Sequence, residues 1–159
     1  MTTDLLARVD GRYAWLQNSL SLLDQADERE VLPHVQATGL GYTPYSPLAG
    51  GWLTGKYAAA GVYPEGSRMT LRPEPYRHLE REAVFRGLER LADEARARQV
   101  DLAALAVAWV LHQPRVDAAI IGPRNLSHLT AALGATAIEL SDEDAQRIGE
   151  MFRDRSRSG

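Results

Sequence analysis

The residues best suited to chemistry lie in one glycine-rich segment, Leu40 to Tyr57, which reads LGYTPYSPLAGGWLTGKY. Glycines allow backbone N–H groups to approach a ligand closely, and hydroxyls and an ammonium group bind phosphate oxygens. Tyr45, at the end of the expected strand, can stack on a flat heterocycle. The segment therefore suits a phosphate-bearing ligand, through Ser46, Gly50, Gly51, Thr54, Gly55 and Lys56.

The same residues also fit a surface loop with ordinary turn chemistry. Glycine and proline are common in any connection between a strand and a helix. Neither a Walker-type spacing nor a G-x-G-x-x-G spacing is present in this segment. The residue types alone leave both interpretations open.

A second polar turn follows the apolar pair Ile120-Ile121 and reads GPRNLSH from Gly122 to His128. N–H groups at a helix start bind anions, and Arg124 adds a guanidinium that can hold a phosphate with two hydrogen bonds. Alternatively, Asn125 caps the helix and Arg124 points into solvent. This turn, taken alone, is compatible with either role.

Composition limits the function classes. The chain has 159 residues, is 45% hydrophobic and 25% charged, and carries a formal net charge of −3. These values are typical of one globular domain and argue against a nucleic-acid surface, which needs a basic face. Cysteine is absent and the four histidines show no ligand spacing, so we expect no metal site.

Targeting signals are also absent from the sequence pattern. Residues 1 to 12 contain no apolar signal-peptide core, and no apolar run reaches the ~18 residues that a membrane helix needs. We therefore expect a soluble cytoplasmic protein without a membrane partner.

Short apolar runs alternate with helical patterns along the chain. Strands are expected over Tyr13 to Leu16, Leu40 to Tyr45 and Ala118 to Ile121, and a helix follows each. This alternation predicts an α/β fold with a parallel sheet. Because parallel strands end at the same edge, Gln17, Tyr45 and Gly122 should open towards a common mouth.

The rest of the chain is expected to contain one long loop, a polar tail and several helices. From the second strand to about Leu79 we expect a long, partly ordered loop that covers a ligand. The residues from Arg153 to Gly159 should fray. Helices are expected over Asp4 to Val9, Arg29 to Thr38 and Glu82 to Arg98, after the caps Asp101 and Asn125, and after Ser141 with Asp144 as its capping-box partner.

The glycine-rich segment resembles a known family. From Tyr45 to Tyr57 it follows the pattern Y-S-P-L-x-x-G-x-L-T-G-K-Y, which is similar to the segment after the seventh barrel strand of aldo-keto reductases. In that family the segment covers the nicotinamide and pyrophosphate of NADPH.

Three further segments also resemble the family, and all four occur along the chain in the same order as in the family. Gly122-x-Arg124-Asn125 is similar to the turn that holds the 2′-phosphate and adenine. Gln17-Asn18 resembles the sixth-strand pair that binds the nicotinamide amide, and Ser67-Arg68 resembles a clamping pair in the long loop.

The resemblance implies a partial (β/α)8 TIM barrel, made of the last three βα units plus a C-terminal helix. The partial domain would cover residues 1–152, with a disordered tail at 153–159. It implies NADP(H) as cofactor, held by Gln17, Tyr45, Ser46, Pro47, Leu48, Gly50, Leu53, Lys56, Arg68, Gly122, Arg124, Asn125 and His128.

The chain departs from the family pattern in two ways. His128 stands where Gln or Arg is common and Ala132 where Asn is common, which implies weaker adenine contacts. The family's catalytic Asp, Tyr, Lys and His come from earlier strands, so no catalytic residue is expected here. A small carbonyl substrate is then expected only for a completed barrel, and none for the isolated chain.

Two alternatives remain at this level. One is a non-catalytic nucleotide-binding or interaction module that self-associates or completes its barrel with a partner chain. Three βα units leave two unpaired strand edges and an uncovered apolar interior, which favours such association. The other is a plain helical domain whose turns mimic the family.

Overall fold

The computed structural model describes residues 14–57 and 61–153, and in it two short parallel strands form a sheet that isolated bridges join to a third parallel segment. Strand β1, Trp15–Leu16, pairs in parallel with β2, Gly41–Tyr42. On the other side of β2, parallel bridges join Tyr42 to Val116 and Tyr45 to Ile120. The expected parallel order is therefore present, although the first two strands are shorter than predicted.

Residues Ala118 to Ile121 do not form the buried strand that we expected. Between its two bridges, Val116 to Ile120, this segment has one residue more than β2 has between Tyr42 and Tyr45. An extra residue of this kind interrupts pairing and turns the following side chains to the other face, as in a β-bulge. Ile120 consequently lies exposed, not in the core.

Helices make up most of the described chain. The expected helix from Arg29 to Thr38 is in fact two helices, broken at Val31, with Pro33 in the first turn of the second and Gly39 at its end with φ 71°. The helices are α1 Ala26–Glu30, α2 Leu32–Thr38, α3 Arg68–Leu71, α4 Glu82–Ala97, α5 Leu102–His112, α6 Leu126–Gly134 and α7 Asp142–Glu150. The helix predicted over Asp4 to Val9 lies outside the described residues.

The predicted helix caps are confirmed. Asp101 accepts a hydrogen bond from the backbone N–H of Ala104 at 3.0 Å, and Asn125 caps α6 in the same way. Ser141 and Asp144 form a complete capping box at the start of α7. Each cap satisfies a backbone donor that the helix itself leaves unpaired, which fixes where α5, α6 and α7 begin.

The hydrophobic core lies between the sheet and the helices. Helix α4 buries Val84, Leu88, Leu91 and Ala95, which lie on one face at helical spacing. The Trp109 side chain on α5 is buried, and its indole N–H donates to the carbonyl of Ala145 on α7 at 2.8 Å. This one side chain therefore joins α5 to α7 through both packing and a hydrogen bond.

Helix α6 contributes little to that core. Its apolar residues Leu126 and Leu133 are 80% and 60% exposed. Among the described elements, α6 packs against α5 and the short 3-10 turn Ala135–Ala137. Its remaining flank is uncovered within the described part of the chain.

An ion-pair cluster ties α4 to α7. Arg147 contacts Glu94 at 2.6 Å and Asp144 at 2.9 Å, while Arg98 contacts the same two carboxylates at 2.6 and 2.5 Å. The hydrogen bond from Arg147 is the main reason why the pKa of Glu94 falls to about 2. Arg98 and then Arg147 hold the pKa of Asp144 below its usual range.

The long connection after Tyr45 is not a structureless loop. It contains the 3-10 turn Ala49–Thr54, helix α3 and a second 3-10 turn, Glu74–Leu79. Aromatic rings anchor it to α4: Trp52 lies 5.1 Å from Tyr57 and 5.6 Å from Phe85, measured between ring centroids. The loop is thus folded and packed against α4, which agrees with the expectation that it is at least partly ordered.

The described carboxy-terminal end is Arg153. Its guanidinium contacts Glu28 at 2.8 Å and Gln25 at 3.0 Å, so this residue is held against α1, although we placed it in the fraying tail. The remaining tail residues 154–159 lie outside the described residues. In the described ranges, no helix is long and apolar enough to cross a bilayer.

Candidate dinucleotide-binding site

The carboxyl ends of the three parallel segments lie side by side, at the same end of the sheet. The N–H of Tyr45 donates to Asn18 at 2.9 Å, and the N–H of Ile120 donates to Pro44 at 2.8 Å. Tyr45 is therefore flanked by Ser19 on one side and by Ile120 on the other. This register brings the residues after each segment to one edge, where we expected a common mouth.

The backbone of the glycine-rich segment is in an unusual conformation. Ser46 has φ 59° and Ala49 has φ 46°, in the left-handed region that residues other than glycine rarely adopt. Gly50 and Gly51 follow with φ 66° and 98°. Such strain concentrates at sites that bind ligands, because surrounding structure must maintain it.

The strain also has a geometric effect. Leu48 has φ −105° and ψ 11°, and the left-handed Ala49 follows it directly. A right-handed residue followed by a left-handed one turns successive N–H groups towards the same side, which forms a concavity suited to an anion. Within the turn Leu48 to Gly51, the N–H groups of Ala49 and Gly51 already donate to the carbonyls of Ser46 and Leu48, at 2.9 and 2.8 Å, which leaves those of Leu48 and Gly50 for an anion.

Lys56 lies against this turn. A Cβ atom added at Gly51 would lie only 2.5 Å from the Nζ atom of Lys56, so glycine is what lets the ammonium group approach the backbone. The same ammonium lies 5.1 Å from the ring centroid of Tyr57, whose hydroxyl donates to the carbonyl of Gly50 at 3.4 Å. Positive charge and backbone donors are thus adjacent, which fits a pyrophosphate.

Tyr76 covers the same turn and was missed by the sequence reasoning. A Cβ atom at Gly50 would lie 2.4 Å from the Cζ atom of Tyr76, so the ring lies directly on this glycine. Tyr76 belongs to the 3-10 turn that follows α3. The only sequence signal was an aromatic residue in a loop that we expected to cover a ligand.

Arg124 connects the second polar turn to the long loop. Its Nη1 atom donates to the carbonyl of Gly66 at 2.7 Å. The next residues are the buried Ser67 and the exposed Arg68, which begins α3. This hydrogen bond therefore holds Arg124 to the loop two residues before Arg68, the other arginine that we expected at an adenosine phosphate.

The start of α6 completes this side of the site. Asn125 accepts hydrogen bonds from the N–H of His128 at 2.9 Å and from the hydroxyl of Ser127 at 2.8 Å. Gly122, before the helix, has open space where a Cβ would stand. Gly122, Arg124, Asn125 and His128 thus form a solvent-facing turn, and Arg124 retains further N–H donors for an anion.

Two of the residues expected to contact the cofactor have buried side chains. Leu53 is fully buried in the core, and Pro47 is also buried. Leu53 was assigned from the family pattern, but its side chain supports the turn from beneath. Gln17 and Tyr45, in contrast, are exposed at the sheet edge.

Tyr42 and Tyr63 hold their protons more strongly than a free tyrosine does. Burial raises the pKa of Tyr42 far above its ordinary value, and its hydroxyl is bonded to Asp27 at 2.6 Å. Burial, and then a hydrogen bond to Glu80, raises the pKa of Tyr63 to about 12. Within residues 14–57 and 61–153, no cluster of acidic or histidine side chains could hold a metal.

Comparison with known proteins adds independent information. The aldo/keto reductase family model matches residues 7–152. A putative aryl-alcohol dehydrogenase from Schizosaccharomyces pombe is 34% identical over 145 residues, which are 89% of this chain and 39% of that protein. The uncharacterized oxidoreductase YrpG from Bacillus subtilis is 35% identical over 136 residues, or 86% of this chain and 39% of that protein.

A solved structure shows the same fold. Glycerol dehydrogenase from Gluconobacter oxydans superposes with a TM-score of 0.76 at 23% identity, over 94% of this chain and 45% of that chain. The chain thus spans about two fifths of the length of the curated relatives cited above, and less than half of the structural neighbour.

Proposed function

The chain belongs to the aldo/keto reductase family, and from this premise we propose that it carries the NADP(H)-binding end of an oxidoreductase that reduces aldehydes or ketones. The fold is part of an α/β barrel of the kind that the structural neighbour has. Active sites of such barrels lie at the carboxyl ends of the strands. The strained glycine turn and the α6 turn both follow such strand ends in this chain.

One observation carries the proposal: the parallel register that flanks Tyr45 with Ser19 and Ile120. It gathers three separate polar segments at one edge of the sheet. Without this register, the glycine-rich turn would be an isolated anion site. With it, the segments expected at the nicotinamide and at the phosphates lie next to each other.

The residues present fit that ligand. The exposed Gln17 and Tyr45 would position the nicotinamide, by hydrogen bonding and stacking. Lys56, with the N–H groups of Leu48 and Gly50 that the turn does not use internally, would hold the pyrophosphate, because an ammonium and backbone donors then lie together. NADPH, when bound, supplies a hydride. The adenosine phosphate would be held by the solvent-facing group Arg68, Arg124 and His128.

Among the described residues, Tyr42 and Tyr63 are poor proton donors for carbonyl reduction. Tyr42 and Tyr63 are hydrogen-bonded to carboxylates and hold their protons too strongly at neutral pH. General acid catalysis needs a pKa near the working pH. We therefore propose that the isolated polypeptide binds the cofactor but does not turn over substrate.

The test is a titration of the chain with NADPH and with NADH, followed by tryptophan fluorescence. Replacing Arg124 by Ala should weaken NADPH binding about 10- to 100-fold, since a charged hydrogen bond contributes ~1.5–3 kcal/mol. NADH lacks the 2′-phosphate, so its affinity should change much less. Arg115→Ala removes a comparable bond, from Arg115 to the carbonyl of Leu40, and serves as the control.

Equal losses for the two cofactors, or no NADPH binding by the unmodified chain, would contradict the assigned phosphate site. Turnover is tested separately, by NADPH consumption in the presence of an aromatic aldehyde. We expect no consumption above the rate without protein. Clear catalysis by the isolated chain would show that a proton donor has been overlooked.

A further inference from the structure

The stretch from Gly66 to Arg77 connects the two parts of the candidate cofactor site. At one end, the carbonyl of Gly66 accepts a hydrogen bond from Arg124 at 2.7 Å. At the other end, the ring of Tyr76 lies directly on Gly50 of the glycine-rich turn. We call this stretch the loop arm. Its backbone therefore extends from the turn before α6 to the glycine-rich turn.

The loop arm carries three exposed arginines, Arg68, Arg72 and Arg77. Within residues 14–57 and 61–153, none of these three side chains makes a hydrogen bond or an ion pair. The N–H groups of Tyr76 and Arg77 both donate to the carbonyl of Pro73, at 2.8 and 3.0 Å, which closes a turn. Arg72 and Arg77 therefore stand at the two ends of a single turn, and no described carboxylate neutralises either of them.

Arginines on the helix side of the molecule are in a different situation. Four of them, on or next to α4 and α7, contact carboxylates directly: Arg86, Arg96, Arg98 and Arg147. The loop arm instead contains three arginines and one carboxylate, that of Glu74, so its formal charge is +2. It is thus a local excess of positive charge in a chain whose net charge is −3.

Charges placed in this way act on an anion before it binds. Exposed charges in 0.1 M salt interact over about 10 Å. Arg77 directly follows Tyr76, which contacts the glycine-rich turn, so its charge lies within about this distance of the turn. A cluster of charges of one sign beside a binding site raises the association rate of a ligand of opposite sign.

We propose that Arg72 and Arg77 of the loop arm attract NADPH and thereby raise its association rate. This inference rests on the proposed function and adds two residues that the proposed function did not use. Arg68 was assigned to the adenosine phosphate itself, whereas Arg72 and Arg77 act at a distance and make no lasting contact. NADPH has one phosphate more than NADH, so the loop arm accelerates NADPH more and favours it kinetically.

The experiment measures the association and dissociation rates of NADPH and NADH by stopped-flow tryptophan fluorescence at low salt. Arg72→Gln and Arg77→Gln should each slow the association of NADPH about threefold, and that of NADH less. Glu74→Gln removes a negative charge from the same turn and should accelerate NADPH association by a similar factor. Dissociation rates should not change, because a charge at the rim of a site acts on association.

Salt and a matched variant provide the controls. In about 1 M salt the screening length is about 3 Å, so the three variants should associate with NADPH at the rate of the unmodified chain. Arg96→Gln changes the net charge by the same amount, but Arg96 lies roughly 20 Å beyond the start of α4 and is paired with Asp93. Its association rate should equal that of the unmodified chain.

Two outcomes would overturn the proposal while leaving the cofactor site in place. Equal slowing by Arg96→Gln would mean that the overall charge matters, not the loop arm. Faster dissociation with unchanged association would mean that Arg72 and Arg77 contact the bound cofactor. Thermal melts exclude unfolding as a cause, since both side chains are exposed and their replacement should leave the melting temperature nearly unchanged.

The same rate measurements separate this proposal from the proposed function. If NADPH does not bind the unmodified chain at any salt concentration, the cofactor site is wrong and both proposals are overturned. If NADPH binds at the same rate in every variant, the cofactor site is supported and only the attraction by the loop arm is wrong.

Discussion

The two faces of the small sheet differ in what they contact. On the helix side, Tyr42 is fully buried and its hydroxyl is bonded to Asp27. On the other side, Trp15 and Tyr45 are exposed. Packing, capping and the ion-pair cluster are all on the helix side, so that side should determine stability. The open side, whose Tyr45 directly precedes the strained glycine-rich turn, should determine binding.

The largest expected effect tests this contrast with two tryptophans. Trp109→Ala removes a buried ring and its hydrogen bond to Ala145, and should lower the free energy of unfolding by about 3–5 kcal/mol. Trp15→Ala removes an exposed ring of the same type, and should cost less than about 1 kcal/mol. Urea unfolding followed by circular dichroism measures both.

Comparable losses for Trp109→Ala and Trp15→Ala would abolish the distinction between the faces. Such a result would mean that the face of the sheet that carries Trp15 is already packed in the isolated chain, for example against another copy. Measuring both variants over a range of protein concentrations identifies that case, because association makes the apparent stability depend on concentration.

A smaller effect compares Gly50 in the glycine-rich turn with Gly39 at the end of α2, because the two glycines have almost the same backbone conformation. Gly50 has φ 66° and Gly39 has φ 71°. Alanine at Gly39 has open space and should cost about 1 kcal/mol, from the left-handed conformation alone. Alanine at Gly50 must also displace the Tyr76 ring, and should cost about 1–2 kcal/mol more.

The same pair of variants separates stability from binding. Gly50→Ala should weaken NADPH binding, whereas Gly39→Ala at the end of α2 should not, since it lies away from the turn. Tyr76→Ala provides a second comparison, because it creates room for the added methyl group. If Gly50→Ala binds NADPH as the unmodified chain does, the turn is not part of the site.

The smallest effect is the pH dependence of the α4 to α7 cluster. The pKa of Glu94 is about 2, below its ordinary value, so its contribution is present above about pH 4.5 and is lost as the pH falls towards 2. Glu94→Gln should cost about 1–2 kcal/mol at pH 7, since the group is partly screened by solvent. This cost should shrink on acidification.

Glu82→Gln is the matched control on the same helix. Glu82 pairs with Arg86 one turn away and is well exposed, so its loss should cost no more than about 0.5 kcal/mol. Stability measured by urea unfolding between pH 2 and pH 7 gives both curves. A cost for Glu94→Gln that does not change with pH would show that packing, not charge, explains it.

Local signals in the sequence predicted local structure correctly. Asp101, Asn125 and the Ser141 and Asp144 pair cap their helices as expected, because a cap depends on residues only three positions apart. The buried face of α4 also agrees with its helical period. The break at Val31 within the expected second helix had no comparable signal.

Contacts between distant residues were not predictable in this way. The bulge that exposes Ile120 depends on its register with Tyr45, and a one-residue slip reverses the face of every following side chain. The contact of Tyr76 with Gly50, and the bond from Arg124 to Gly66, join segments far apart in the chain. Residue spacing does not encode such pairs.

The sequence by itself determined the family, the order of the βα units and the polar segments that follow them, because these depend on periodicity and on short motifs. Only the tertiary structure decided that Tyr45 lies between Ser19 and Ile120, that Lys56 reaches the glycine turn, and that one face of the sheet stays open. These features arise from register and packing, which form only when distant segments meet.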